Sequence, residues 1–177
     1  MTDSKGTNAL ASTFDYTLAF LVLRLWLAVR NIVTGIEKFG AYNIIQKPII
    51  DKVTGLEDAG GATLDVKVKF YALKNYSGIP ASLKDKFDNE PLLPHPMLVL
   101  FDRLLGPALI ITGLMLLVGL GTRLSLFVQG LIYIALTVGL ILIHQDDGIS
   151  WLGIHVTLVA IALVLARHNK FAILKKW

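Results

Sequence analysis

Residues 124–143 read LSLFVQGLIYIALTVGLILI, and after HQDDG (144–148) residues 149–166 read ISWLGIHVTLVAIALVLA. Twenty residues of helix rise about 30 Å, the hydrocarbon thickness of a bilayer. The first stretch carries no charge and the second has His155 as its sole ionisable group. The connection between them is so short that the two helices must run antiparallel as neighbours.

Working outward, two further spans emerge. Residues 95–121 form one, with no charge between Leu104 and Thr122, and residues 14–39 form the other, interrupted by Arg24, Arg30 and Glu37. Gly121-Thr122-Arg123 is again too short for anything but a reversal. The expected fold is an all-α membrane protein, a four-helix antiparallel transmembrane bundle (14–39, 95–121, 124–144 and 149–166). A leader precedes it (1–13), an extracytoplasmic insert (40–94) separates the first two helices, and a basic tail (167–177) follows.

Composition agrees. The chain of 177 residues is 54% hydrophobic and 17% charged, with a mean hydropathy of +0.63, whereas soluble domains carry about 25% charged residues. Such a surface belongs in lipid. There is no cysteine, which excludes disulfides, thiolate metal sites and cysteine nucleophiles. The net charge of +4 gathers in part at Arg167, Lys170, Lys175 and Lys176, directly after an apolar run, as juxtamembrane anchors do. Nucleic acid is not an expected partner; membrane lipids are.

Lys5, Arg123 and the basic tail fall on one side and Asp146 and Asp147 on the other. The positive-inside rule then puts both termini in the cytoplasm. The first span is too long and too arginine-rich for a cleaved signal and reads as a retained helix. In the insert, Ile44, Ile45, Ile49 and Val53 give a short helical pattern. Leu64, Val66, Val68 and Phe70 alternate with polar residues at strand period, and Gly60-Gly61, Pro80 and Pro91 punctuate the segment. Glycines 106, 113, 130 and 139 read as helix-packing positions.

Ionisable groups within spans are costly, about 2.5 to 3.5 kcal/mol each on insertion scales, and mark candidate sites. By helical rise Arg30 lies about 12 Å below Lys38, and His155 about 9 Å below Ile149. Thr34 and Glu37 share the Arg30 stripe. Asp102 and Arg103 enter at the same end of the second span, and His144 leaves the third. Arg24 lies deeper, on a stripe with Asn31. The candidate ligand-binding set is Arg24, Arg30, Glu37, Asp102, Arg103, His144 and His155. An amphiphile with carbonyl or acidic oxygens, a quinone or a lipid head group, suits it. The plainer readings are snorkelling for Glu37, Lys38 and Arg103, and packing for His155. His144 and His155 differ by about 9 Å in depth, which argues against haem. No metal spacing, nucleophile constellation or phosphate loop is present, and no catalytic residue is assigned.

Gly35-Ile36-Glu37-Lys38-Phe39 closing the first helix, Gly119-Leu120-Gly121-Thr122-Arg123 closing the second and His144 closing the third resemble the DoxX-like superfamily of four-helix membrane proteins. Within it, the DoxD type is similar to the membrane subunit of thiosulfate:quinone oxidoreductase. The resemblance touches Arg24, Gly35, Lys38, Gly121, Arg123 and His144, and departs at Thr34, where many members have histidine. It implies a subunit of a quinone-linked redox complex, with a protein partner or a second copy, rather than a stand-alone enzyme. No intrinsic cofactor is evident. The alternative is a non-enzymatic lipid-binding or complex-assembly protein that docks partners through the insert. Transport is weaker, since four helices are few for alternating access.

Overall fold

A computed structural model describes residues 4–49 and 63–173, with side chains from residue 14 onward. The element order is α1 (Ser4–Glu37), β1 (Gly40–Pro48), β2 (Thr63–Tyr71), α2 (Ala81–Asp88), α3 (His95–Val118), α4 (Thr122–Leu142) and α5 (Asp146–Leu165). Single 3-10 turns cover Leu73–Asn75 and Ala166–His168. Among the described residues four helical stretches are long and apolar enough to cross a membrane: Phe14–Glu37, His95–Val118, Thr122–Leu142 and Asp146–His168. Helix α1 begins at Ser4 and continues into the first stretch without a break.

The four long helices form a ring in which α1 packs on α3 and α5, and α4 packs on the same two. Thus α1 and α4 face each other across the centre. Their shared core includes Phe20, Leu27, Leu116, Leu126, Tyr133 and Val159. The opposite face of α1 exposes Val22, Trp26, Val29 and Val33, an outer surface that only hydrocarbon would solvate cheaply.

Glycine sets the closest approach. A Cβ at Gly35 would lie 2.6 Å from Ile110 Cγ1, and one at Gly113 would lie 2.8 Å from Ile32 Cγ1. Small residues therefore let α1 and α3 touch backbone to backbone. Between α3 and α4 the chain reverses through Gly119 (φ 81°) and Gly121 (φ 54°), left-handed conformations that glycine adopts without strain. The Leu120 N–H reaches back 2.8 Å to the Met115 carbonyl and closes α3.

The fold is not all helix. β1 and β2 pair antiparallel, from Gly40 opposite Tyr71 to Pro48 opposite Thr63. The alternating segment around Leu64–Phe70 is a strand, as its period predicts. The helical pattern expected around Ile44 is instead β1; Val53 and Gly60-Gly61 lie outside the described residues. Tyr42, Ile44 and Ile45 are strand formers, and a partner strand was available: Ile45 sits opposite Val66 and Asn43 opposite Val68. Cross-strand pairing outweighs a weak 3.6-residue period. The ribbon is tied to α1 by an ion pair between Lys69 and Glu37, with Tyr71 Oη donating to the same carboxylate at 2.9 Å. That pairing holds the Lys69 ammonium above the usual lysine range.

Helix α3 carries Pro107 in its interior. Proline lacks an N–H and disturbs the ladder toward the preceding turn. The Tyr76 hydroxyl fills the break. It donates to the carbonyls of Asp102 and Arg103 and accepts the Gly106 N–H at 3.1 Å. A Cβ at position 106 would lie 2.5 Å from the tyrosine ring, so glycine admits this plug. Burial pushes the Tyr76 phenol up from its ordinary pKa.

Candidate functional site

At the end of the bundle nearest the β1–β2 ribbon, α3 and α4 do not close on each other. They are joined at the opposite end, where Ser125 Oγ donates to the Thr112 carbonyl at 2.7 Å. Toward the ribbon a cavity of about 330 Å³ opens between them. Leu98, Phe101 and Leu105 of α3 form one wall, and Ala135, Leu136, Val138, Gly139 and Leu140 of α4 supply the other. Helix α2 lies across it as a lid. Phe87 of α2 rests on Gly139, where a Cβ would lie 3.2 Å from the ring, and a small core of Ile79, Phe87, Leu98 and Ile143 holds the lid down.

Among the described residues, Lys38 is the sole charged one lining this cavity. It follows the last turn of α1, and the Ser77 N–H binds its carbonyl at 2.8 Å. Burial draws the Lys38 ammonium below the usual lysine range, and the nearby Asp102 charge opposes that effect. Asp102 does not enter the cavity. Its Oδ1 accepts the Ile79 N–H at 2.6 Å and so pins Gly78-Ile79-Pro80 over the rim. Gly78 must be glycine here, since a Cβ would collide with the Asp102 backbone carbonyl. The result is a greasy slot with one cationic donor, of the size that takes a ring and the start of a tail.

The candidate residues Arg30, Asp102, His144 and His155, expected to form one pocket, do not, and Glu37 and Arg103 do not join them. Glu37 faces the ribbon and Asp102 braces the rim. Arg103 and His144 are exposed. His144 (φ 53°) instead terminates α4: its N–H binds the Ile141 carbonyl at 3.1 Å, and the Gln145 N–H binds the Leu140 carbonyl at 2.9 Å. This is the paired C-terminal motif that usually employs glycine. Azimuth as well as depth decides which groups meet, and a residue next to a helix end often serves the backbone.

Arg24 sits at the other end of the bundle, 5% exposed. Its Nη1 donates to Asn169 Oδ1 and to the Phe171 carbonyl, both at 3.0 Å, and its Nη2 donates to the Leu117 carbonyl at 3.3 Å. Asn169 in turn donates to Thr122 Oγ1 at 3.0 Å. The arginine thus ties α1, the end of α3 and the segment after α5 together, a structural task.

Arg30 and His155 bracket a second polar locus. Arg30 is exposed on the lipid-facing side of α1 but lies within electrostatic reach of Tyr133. Tyr133 donates its phenol hydrogen to Asn31 and meets the His155 ring edge-to-face, with centroids 5.5 Å apart. Gln129 is one turn from Tyr133 on α4 and fully buried. Sequence reasoning passed over Gln129 and Tyr133; the available signal was an amide and a phenol four residues apart in an otherwise apolar span. Among the described residues no group of three His, Asp or Glu side chains could hold a metal ion.

Comparisons with protein-family profiles, curated proteins and solved structures find no match for this chain. The site is therefore interpreted from its own geometry.

Proposed function

We propose that this chain is a DoxX-like integral membrane subunit of a quinone-linked redox complex, and that the cavity between α3 and α4 receives the quinone. The observation that carries the reading is the apolar slot with Lys38 as its one charged donor. A carbonyl oxygen of the ring accepts a hydrogen bond from the ammonium. The ring lies against Phe101, and the tail leaves between α3 and α4 into lipid. Electrons come from a partner subunit, and the quinone supplies the redox chemistry when bound. Lys38 orients the ring, while α2 keeps water from it. The ribbon end faces away from the cytoplasm on this reading, with both termini cytoplasmic.

The test is a titration of detergent-solubilised protein with decylubiquinone, read by thermal stabilisation, beside organic extraction of the protein as purified. Saturable stabilisation that Ala135→Phe abolishes supports the proposal. No stabilisation of the folded protein, and no quinone in the extract, would sink it.

A specific observation favours a second reading, docking of a protein partner or lipid surface by the ribbon. Tyr42, Ile44 and Leu64 are each more than 60% exposed on a two-stranded sheet, and unpaired strand edges recruit further strands. Both readings can hold in one protein.

A further inference from the structure

Inside the ring, three side chains from three helices carry polar atoms without a protein partner. Among the described residues they are Asn31 Nδ2, both amide atoms of Gln129, and His155 Nε2. The residues are 1%, 0% and 6% exposed. In hydrocarbon a lone unsatisfied group of this kind costs several kcal/mol, so a chance accumulation of four such atoms is a poor explanation. The Asn31–Tyr133 bond joins α1 to α4, and the Tyr133–His155 ring contact joins α4 to α5. Gln129 is on the Tyr133 face of α4, one turn away.

Their chemistry specifies what they bind. His155 Nδ1 lies 2.8 Å from the Trp151 carbonyl. A carbonyl only accepts, so Nδ1 carries the hydrogen and Nε2 of the neutral ring offers a lone pair. Gln129 offers a second acceptor and two donors, and Asn31 offers two donors, its oxygen being engaged by Tyr133. A set mixing acceptors with donors, buried and without net charge, matches water, which donates two hydrogens and accepts two. It matches an anion poorly because two of the partners are acceptors.

We propose that Asn31, Gln129, Tyr133 and His155 enclose an internal water-binding site in which His155 Nε2 is a hydrogen-bond acceptor. The site is separate from the cavity under α2 and does not depend on the quinone reading. Bound water bridges the three orphaned side chains, and the imidazole, anchored by its Trp151 bond, accepts a hydrogen bond from that water at Nε2.

Synchrotron hydroxyl-radical footprinting of the full chain in mild detergent tests this, because radicals formed from bound water oxidise the side chains around it. The expected result is oxidation of Tyr133 and His155 at rates comparable with exposed Tyr42, while buried Phe20 stays silent. Gln129→Leu should remove most of that labelling without lowering the melting temperature; Gln129→Met is the substitute if the leucine variant is not recovered folded. Nitrogen-15 NMR of histidine-labelled protein, assigned against His155→Gln, should show Nδ1 protonated and Nε2 bare and hydrogen-bonded. Tyr133 and His155 as silent as Phe20, labelling unchanged in the folded Gln129 variant, or the opposite tautomer would each overturn the proposal.

Discussion

The phenol of Tyr133 on α4 donates its hydrogen to the amide oxygen of Asn31 on α1, joining two diagonal helices of the ring across 102 positions of sequence. In lipid such a bond has few competitors, yet measured side-chain bonds in membranes average only about 0.6 kcal/mol, with a maximum near 1.7. Tyr133→Phe should therefore destabilise the bundle by about 1 kcal/mol, read by thermal or steric-trapping unfolding. Asn31→Leu combined with Tyr133→Phe should cost less than the sum of the two, because one bond is removed twice.

Backbone contact between α1 and α3 makes a second prediction. At Gly113 a Cβ would press on Ile32 Cγ1 and lie 3.0 Å from the Ala28 carbonyl. Gly113→Leu must push the helices apart and should cost about 1 to 3 kcal/mol, whereas Gly130→Ala, whose nearest neighbour would be 3.4 Å away, should be close to neutral. Melting temperatures of the two variants in one detergent make the comparison.

His144 separates a binding role from a structural one. In the left-handed region a non-glycine residue carries a penalty of about 1 to 2 kcal/mol. His144→Gly should leave stability unchanged or raise it, with quinone titration unaffected. A loss of binding in a folded His144→Gly protein would return this residue to the site.

Lys38 gives opposite pH dependences for folding and binding. Its folded pKa lies below its unfolded value because burial disfavours the ammonium. The unfolded chain thus holds more protons in the window between the two, and stability rises with pH across that window up to the ordinary lysine value of about 10.4. Binding of a carbonyl head group runs the other way. It needs the ammonium and should fade as pH climbs through the lowered value. Lys38→Met should flatten both profiles and, by losing a charge-assisted hydrogen bond of about 1.5 to 3 kcal/mol, weaken binding about 10- to 100-fold.

The pair of Lys69 and Glu37 is exposed, so its removal should barely move the global melt. Its effect is local. Glu37→Gln should speed amide exchange in β1 and β2 while α1 exchange stays slow, read by hydrogen–deuterium mass spectrometry.

The four long helices were legible in the sequence because length and apolarity suffice to define them, and the antiparallel order of α3, α4 and α5 followed from loops too short for any other path. β2 was legible by its period of two. β1 was not, since Ile44 and Ile45 carry no clean period and their strand state is decided by residues more than 20 positions away. For the site, sequence identified buried polar groups but not their azimuth, and so it collected Glu37, Asp102 and His144 with His155. Lys38 reads as a snorkelling end residue until α2 is folded over it. No local pattern announces the cavity, because it is made by the divergence of two helices and a lid from elsewhere.

Tyr76 has a consequence for biosynthesis. Until that hydroxyl arrives, Pro107 leaves the Arg103 carbonyl of α3 without its helical N–H partner, a poor guest for lipid. Because Tyr76 precedes α3 in the chain, it emerges from the ribosome before the helix it completes. Settling of α3 is thereby coupled to docking of the segment that carries Tyr76, and a Tyr76→Phe protein should linger as a protease-sensitive species early after synthesis.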